Sequence, residues 1–439
     1  MAWLKPSRRR RVWIHLSLWL ALASLGTLAE TGRPPETLAP LVLLPRQALG
    51  PEELGVIVND RDPRSRRIAR EYRAKRRIPP ENLIHVSFPP HRRMMTPERF
   101  QAIHARVKAA TPERVQAYAL TWTEPYRVGC MSITTAFAAG YDESFCADGC
   151  RTTKSSPYFA SASQRPFTDF GWRPTMALAG SRLDAVRALI DRGVASDDTR
   201  PTGTVYLVKT SDAARSVRAQ TFSRVEALFG TAIRIERVEG DSIAHKPDVL
   251  VYLTGAVRVP EIATNQFLPG AIADHLTSTG GQLTDSRQMS SLDWLDAGAT
   301  GSYGSVVEPC NFPAKFPDPV ILIGAYLSGA TLIEAYWKSL LMPGQGILIG
   351  EPLARPFGGH ELTFDGAAWV LKTFALLPGR YRLESADQPM GPYRPVGAFV
   401  KPDANPLRLR LPTDGKPYYR VVAVEADQPP AALLGPQPD

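Results

Sequence analysis

From Leu54 to Gly350 the chain keeps a rhythm that few architectures accept. Short apolar runs recur: LGVIV (54–58), LIHVSF (83–88), VQAYALTW (115–122), TMALA (175–179), GTVYLVK (203–209), AIRIERV (232–238) and DVLVYLTG (248–255). Their length and near-continuous apolarity are those of strands buried on both faces. Between them lie amphipathic stretches such as SRRIAREYRAKR (65–76), the segment opened by Thr96-Pro97-Glu98, LDAVRALIDRGVA (183–195) and SVRAQTFSRVEALFG (216–230). Parallel strands need a crossover of this kind, usually a helix. The rhythm therefore predicts an α/β domain over 50–357, a largely parallel sheet with helices on both faces. Short strands GAIAD (270–274) and SYGSVV (302–307) flank a helix near 290–297. One final helix (321–341) leads into GILIG (346–350).

Two stretches break the rhythm. Residues 123–174 lose periodicity and hold three of the four cysteines, which predicts a cross-linked or functional insertion. After Pro356 only alternating strands separated by Pro/Gly turns remain, which predicts a small all-β sandwich over 358–427. Residues 30–49 read as a leader into the fold and 428–439 as a disordered Pro-rich tail.

The N-terminus is laid out as a secretory signal over 1–29. Lys5 and Arg8 to Arg11 precede an apolar stretch from Val12 to Ala29, with Ala21, Ala23 and Ala29 as small-residue cleavage points. His15, Ser17 and Ser24 interrupt that stretch, whereas a spanning helix needs about 20 apolar residues. The expectation is cleavage and export to the periplasm or beyond, with no membrane span in the mature chain. Loss of Lys5 and the four arginines takes the formal charge from +9 to +4. No Lys/Arg cluster interleaved with aromatics is left, which argues against nucleic-acid binding. In an exported chain Cys130, Cys146, Cys150 and Cys310 point to two disulfides, with three connectivities open. A four-cysteine zinc site is the rival, weakened by the isolation of Cys130 and Cys310.

GAIADHLTSTGG (270–281), GATGSYGSVVEPCNFPAKFPDP (298–319), GEPLARPF (350–357) and NDRDPRS (59–65) resemble phrases of a family of predicted exported bacterial proteins. That resemblance implies export and brings no activity. More distantly, the layout resembles the caspase/gingipain-type α/β fold followed by an immunoglobulin-like domain. In that group one strand ends in His-Gly and the next in the nucleophilic cysteine. Here the matching ends read Thr254-Gly255-Ala256 and His275-Leu276-Thr277-Ser278. The resemblance thus implies the fold without its dyad.

Ligands of open α/β sheets bind at the carboxyl ends of the strands. Those ends offer Asp60, Asp62, Glu124, Thr277, Ser278 and Glu308 as ligand-binding residues, and Asp274, His275 and Cys310 as catalytic candidates. A free Cys310 thiol beside His275 would be activated to a thiolate. The competing readings are a disulfide for Cys310, a loop hydrogen bond for His275 and a turn cap for Asp274. Asp60, Asp274 and Glu308 are hard oxygen donors suited to magnesium or calcium. Against that, Asp60 suits a turn and Asp62, ahead of Pro63 and Ser65, suits a helix cap. The glycines of Gly298-Ala-Thr-Gly-Ser302-Tyr-Gly304 lack a P-loop ending and lead into a strand, so close backbone packing is expected of them.

The function these residues suggest is ligand or partner binding at the strand edge by a non-peptidase. The alternatives are a hydrolase using His275 with Cys310, a metal hydrolase using Asp60, Asp274 and Glu308, and an envelope structural protein docking through the sandwich. The sequence names no cofactor.

Overall fold

The computed structural model describes residues 38–147 and 150–424; the expected signal segment and tail lie outside them. In chain order the first strands are β1 (Leu41–Leu43), β2 (Leu54–Asn59), β3 (Leu83–Val86), β4 (Met94–Met95), β5 (Ala117–Leu120), β6 (Arg127–Val128), β7 (Met131–Ser132) and β8 (Thr175–Ala177). They are followed by β9 (Thr204–Lys209), β10 (Arg234–Glu239), β11 (Val249–Gly255), β12 (Phe267–Leu276), β13 (Gly301–Ser305) and β14 (Gly346–Gly350). Ten of these make one sheet in the order β10-β9-β11-β12-β13-β14-β8-β5-β2-β3. Every neighbouring pair is parallel except β13 with β14. The largely parallel α/β sheet expected from the sequence is therefore present.

The antiparallel pair at its centre has a consequence the sequence did not show. Strands β10 to β13 run one way along the ladders and β14 to β3 the other. The single carboxyl edge expected to carry all the candidate residues is thus two edges.

The helices are α1 (Pro63–Arg76), α2 (Pro97–Ala110), α3 (Ile133–Ala139), α4 (Pro166–Phe170), α5 (Leu183–Ser196), α6 (Phe222–Phe229), α7 (Leu292–Asp296), α8 (Pro319–Leu327) and α9 (Leu332–Lys338). Strand alternation divides the core between them. Val56 and Val58 of β2 join a cluster with Ile68 of α1, Leu322 of α8 and Trp337 of α9. Ile57 joins Phe100 of α2 and Phe137 of α3 on the opposite face. None of the helices among the described residues is long and apolar enough to cross a membrane.

Three element expectations are corrected. The single helix over 321–341 is two, because Gly329 takes a φ of +84° and Thr331 starts a new helix with a capping box to Glu334. The segment 216–230 opens as a 3-10 turn (Ser216–Thr221) before α6 begins. Part of the supposed leader is β1, which pairs in parallel with a C-terminal strand and buries Val42.

That C-terminal region comprises β15 (Glu361–Phe364), β16 (Trp369–Thr373), β17 (Gly379–Ala386), β18 (Arg394–Lys401), β19 (Leu407–Arg410) and β20 (Tyr418–Ala423). Sheets β1-β20-β17-β18 and β15-β16-β19 share one core, Leu371 and Leu409 from one meeting Leu383, Phe399 and Val421 from the other. This is the expected small sandwich.

The irregular stretch 123–174 is organised by α3, α4, a ribbon of β4, β6 and β7, and two disulfides. Cys130 bonds Cys146, and Cys150 bonds Cys310 across 160 residues. No described cysteine is free, so the zinc reading falls.

Candidate functional site

Strands β11 and β12 pair in register, Leu253 with Asp274 and Thr254 with His275. Successive residues point to opposite faces, and each of this pair finds its own partners. His275 is buried beside α7. Trp294 Nε1 donates to His275 Nδ1 at 2.9 Å, and His275 Nε2 lies 3.2 Å from Met289 O. An indole N–H can only donate, so Nδ1 carries no proton and the ring is the neutral tautomer with Nε2–H donating to the carbonyl. Burial drives its pKa down to about 4, against a raising contribution from the Met289 hydrogen bond.

Asp274 is buried on the opposite face, where Arg218 of the 3-10 turn before α6 reaches it. Arg218 Nη2 donates to Asp274 Oδ1 at 2.5 Å and to Thr254 O at 2.8 Å. Burial raises the carboxyl pKa while the guanidinium lowers it. Asp274 Oδ2 and Arg218 Nε have no hydrogen-bond partner. Asp274 is therefore half of a buried ion pair and does not cap the following turn.

Beyond these two the strands open into a cleft of about 290 Å³. Thr277, Ser278, Glu308, Arg215, Asn311 and the Cys150–Cys310 disulfide line it. Gly255 makes room for its wall, since a Cβ there would stand 1.9 Å from Arg215 O. The wall is cross-braced. Arg215 Nε donates to Thr277 Oγ1 at 3.3 Å and Nη1 to Asp212 at 2.7 Å, while Thr277 Oγ1 donates to Gln288 Oε1 at 2.8 Å. Glu308 is exposed, and one of its oxygens accepts from Cys310 N at 2.7 Å.

Of the residues singled out in the sequence, Thr277, Ser278, Glu308 and Cys310 line this cleft, and the others are placed or engaged differently. Cys310 is in a disulfide and offers no thiol, so a His275/Cys310 pair has no nucleophile. His275 already uses both nitrogens, so it has none left to act as base. Asp60 and Asp62 lie elsewhere, five strands from β12, or roughly 24 Å at ordinary strand spacing. Asp60 pairs with His85 Nδ1 at 2.7 Å, and Asp62 caps α1 by accepting from Arg64 N at 2.8 Å. Glu124, behind β5, accepts from the Thr284 hydroxyl. The metal set of Asp60, Asp274 and Glu308 is not brought together, and no group of three or more His, Cys, Asp or Glu among the described residues is placed to hold a metal.

The glycines of the 298–304 phrase do the packing expected of them. A Cβ on Gly304 would stand 2.5 Å from the Gly280–Gly281 backbone, and one on Gly301 would stand 2.6 Å from Leu332. Sequence reasoning missed Arg215, Arg218, Gln288, Trp294 and Asn311. Arg218 sits in a stretch that reads as an ordinary amphipathic helix, and nothing local ties it to a carboxylate 56 residues away.

In architecture the chain is similar to the crystal structure of the Arg-specific cysteine proteinase gingipain R (RgpB). The TM-score is 0.42 at 9% identity, covering 85% of this chain and 98% of that one. A complex of the Porphyromonas gingivalis RgpB pro- and mature domains gives 0.40 at 8% identity, covering 85% and 100%. No family model matches the chain, and no curated protein does.

Proposed function

We propose that this is an exported, non-peptidase binding protein whose ligand or partner seats in the cleft behind β12 and β13. The observation that carries the reading is the state of the two groups a thiol peptidase would need. The only cysteines at the cleft, Cys150 and Cys310, are bonded to each other, and the histidine behind it has both nitrogens engaged. What remains at the surface is a recognition set: Arg215, Ser278, Glu308 and Asn311. A fixed guanidinium, a carboxylate and neutral donors suit a ligand carrying both charge signs. Two disulfides support a location outside the reducing cytoplasm.

Peptide-library profiling of the purified mature protein tests this. The expected outcome is no cleavage that depends on Asp274, His275 or Cys310, together with an N-terminus beginning after Ala29. Reproducible cleavage abolished by His275→Gln or Cys310→Ser would overturn the reading.

A further inference from the structure

A second cavity of about 540 Å³ lies away from this cleft, where α6 and α8 face the sandwich. Small-molecule sites commonly enclose ~300–1,000 Å³. Its walls include Leu228 and Phe229 of α6, Ile321 and Ala325 of α8, and Leu377 and Pro378 from the turn before β17. Leu228 and Leu377 are 46% and 39% exposed, so this apolar surface is open to solvent rather than closed as core.

Two charged side chains line the crevice. Asp403 is occupied by Asn405, whose backbone N and Nδ2 both donate to it at 2.9 Å. Lys338, at the end of α9, is only 9% exposed, and its ammonium lies 5.3 Å from the centre of the Tyr158 ring. Glu334, one turn back, spends Oε2 on Leu49 N, Thr331 N and Thr331 Oγ1, and forms no ion pair with Lys338. Burial lowers the Lys338 pKa more than the Glu334 charge raises it. The Glu334 charge offsets only part of the desolvation and makes no direct pair with the ammonium, so an arriving anion would relieve the remaining cost.

We propose that this crevice binds an amphiphilic monoanion, an unbranched apolar chain ending in one carboxylate, with the chain against α6 and α8 and the carboxylate at Lys338. The apolar walls favour any chain by roughly 25 cal/mol per Å² of surface removed from water. Charge decides the head: an alcohol leaves the ammonium unpaired, and a quaternary amine repels it. This site is independent of the strand-end cleft, so neither reading falls with the other.

The test is calorimetric titration of the full chain with decanoate, decanol and decyltrimethylammonium at neutral pH. It uses the wild type, Lys338→Met and Ala325→Trp, with thermal melts to confirm folding. Ala325 lies on a partly exposed helix face, so the tryptophan fills the crevice without entering a closed core. Decanoate is expected to bind tightest to the wild type. Lys338→Met should weaken decanoate by about tenfold or more, the scale of one charge-assisted contact, and leave decanol within about twofold. Ala325→Trp should remove both. Three results would each overturn the assignment: no decanoate binding by the wild type, equal binding of all three probes, or decanoate binding untouched by Ala325→Trp.

Discussion

At the end of β12 two adjacent titratable residues are buried by different means, and pH separates them. His275 is held neutral by one donor and one acceptor, with a pKa near 4 against an ordinary 6.5. As pH falls below about 6.5 the unfolded chain takes up this proton before the folded one, so stability is lost progressively between about 6.5 and 4. The His275 contribution to that loss is about 2 kcal/mol at pH 5. His104, also lowered to about 4 by burial, pulls the same way, so the test compares variants. His275→Gln keeps one acceptor and one donor but does not titrate. Its urea-denaturation stability should fall less than the wild type's between pH 7 and pH 5, and nitrogen NMR of wild-type His275 should show an unprotonated Nδ1. An unchanged slope would refute the assignment. Breaking the partner across the strand should cost more: Asp274→Asn leaves the Arg218 charge buried without its counter-ion, an effect on the order of 3–5 kcal/mol in denaturant unfolding. Both residues were legible as candidates in the sequence, since they stand where β12 ends. Their neutralisation by Trp294 and Arg218 was not, because those contacts are made across the fold.

Among the elements, the insertion 123–174 shows how a stretch without periodicity can still be ordered. Its backbone is stitched to the strand and helix ends it covers: Ser132 N to Gly344 O, Ser156 N to Leu341 O and Ala160 N to Lys338 O. The Cys150–Cys310 bond adds a covalent tie to the loop behind β13. A closed loop of this length is worth about 5 kcal/mol by loop-closure entropy alone. The double variant Cys150→Ser/Cys310→Ser should therefore melt well below the wild type and become cleavable by trypsin at Arg151 or Lys154. Retained protease resistance would mean that the backbone ties suffice. The break between α8 and α9 belongs to the same scale. An apolar run from 321 to 341 with a lone internal Gly329 still reads as one helix, and the positive φ and capping box appear only once the chain has turned.

For the molecule as a whole, the decisive device is a buried charge cluster joining three distant parts of the chain. Glu351, at the end of β14 and fully buried, accepts from Tyr72 at 2.6 Å and from Arg76 Nε at 2.9 Å, while Arg76 also pairs with Asp197 after α5. Glu351→Ala leaves Arg76 buried with only Asp197. It should lower unfolding free energy by about 3–5 kcal/mol, measured in denaturant; a loss under about 1 kcal/mol would show that Asp197 compensates. Nothing in the sequence around Glu351 ties it to Tyr72 or Arg76, which lie 279 and 275 positions away. Period-two and helical apolar patterns determined the α/β layout and the C-terminal sandwich, because burial is written locally into side-chain alternation. The reversal at β13–β14, the pairing of the cysteines and the partners of Asp274, His275 and Glu351 were decided only by the tertiary structure. They depend on which strand lies beside which, and contacts that join residues 14 to 279 positions apart leave no record in the local pattern.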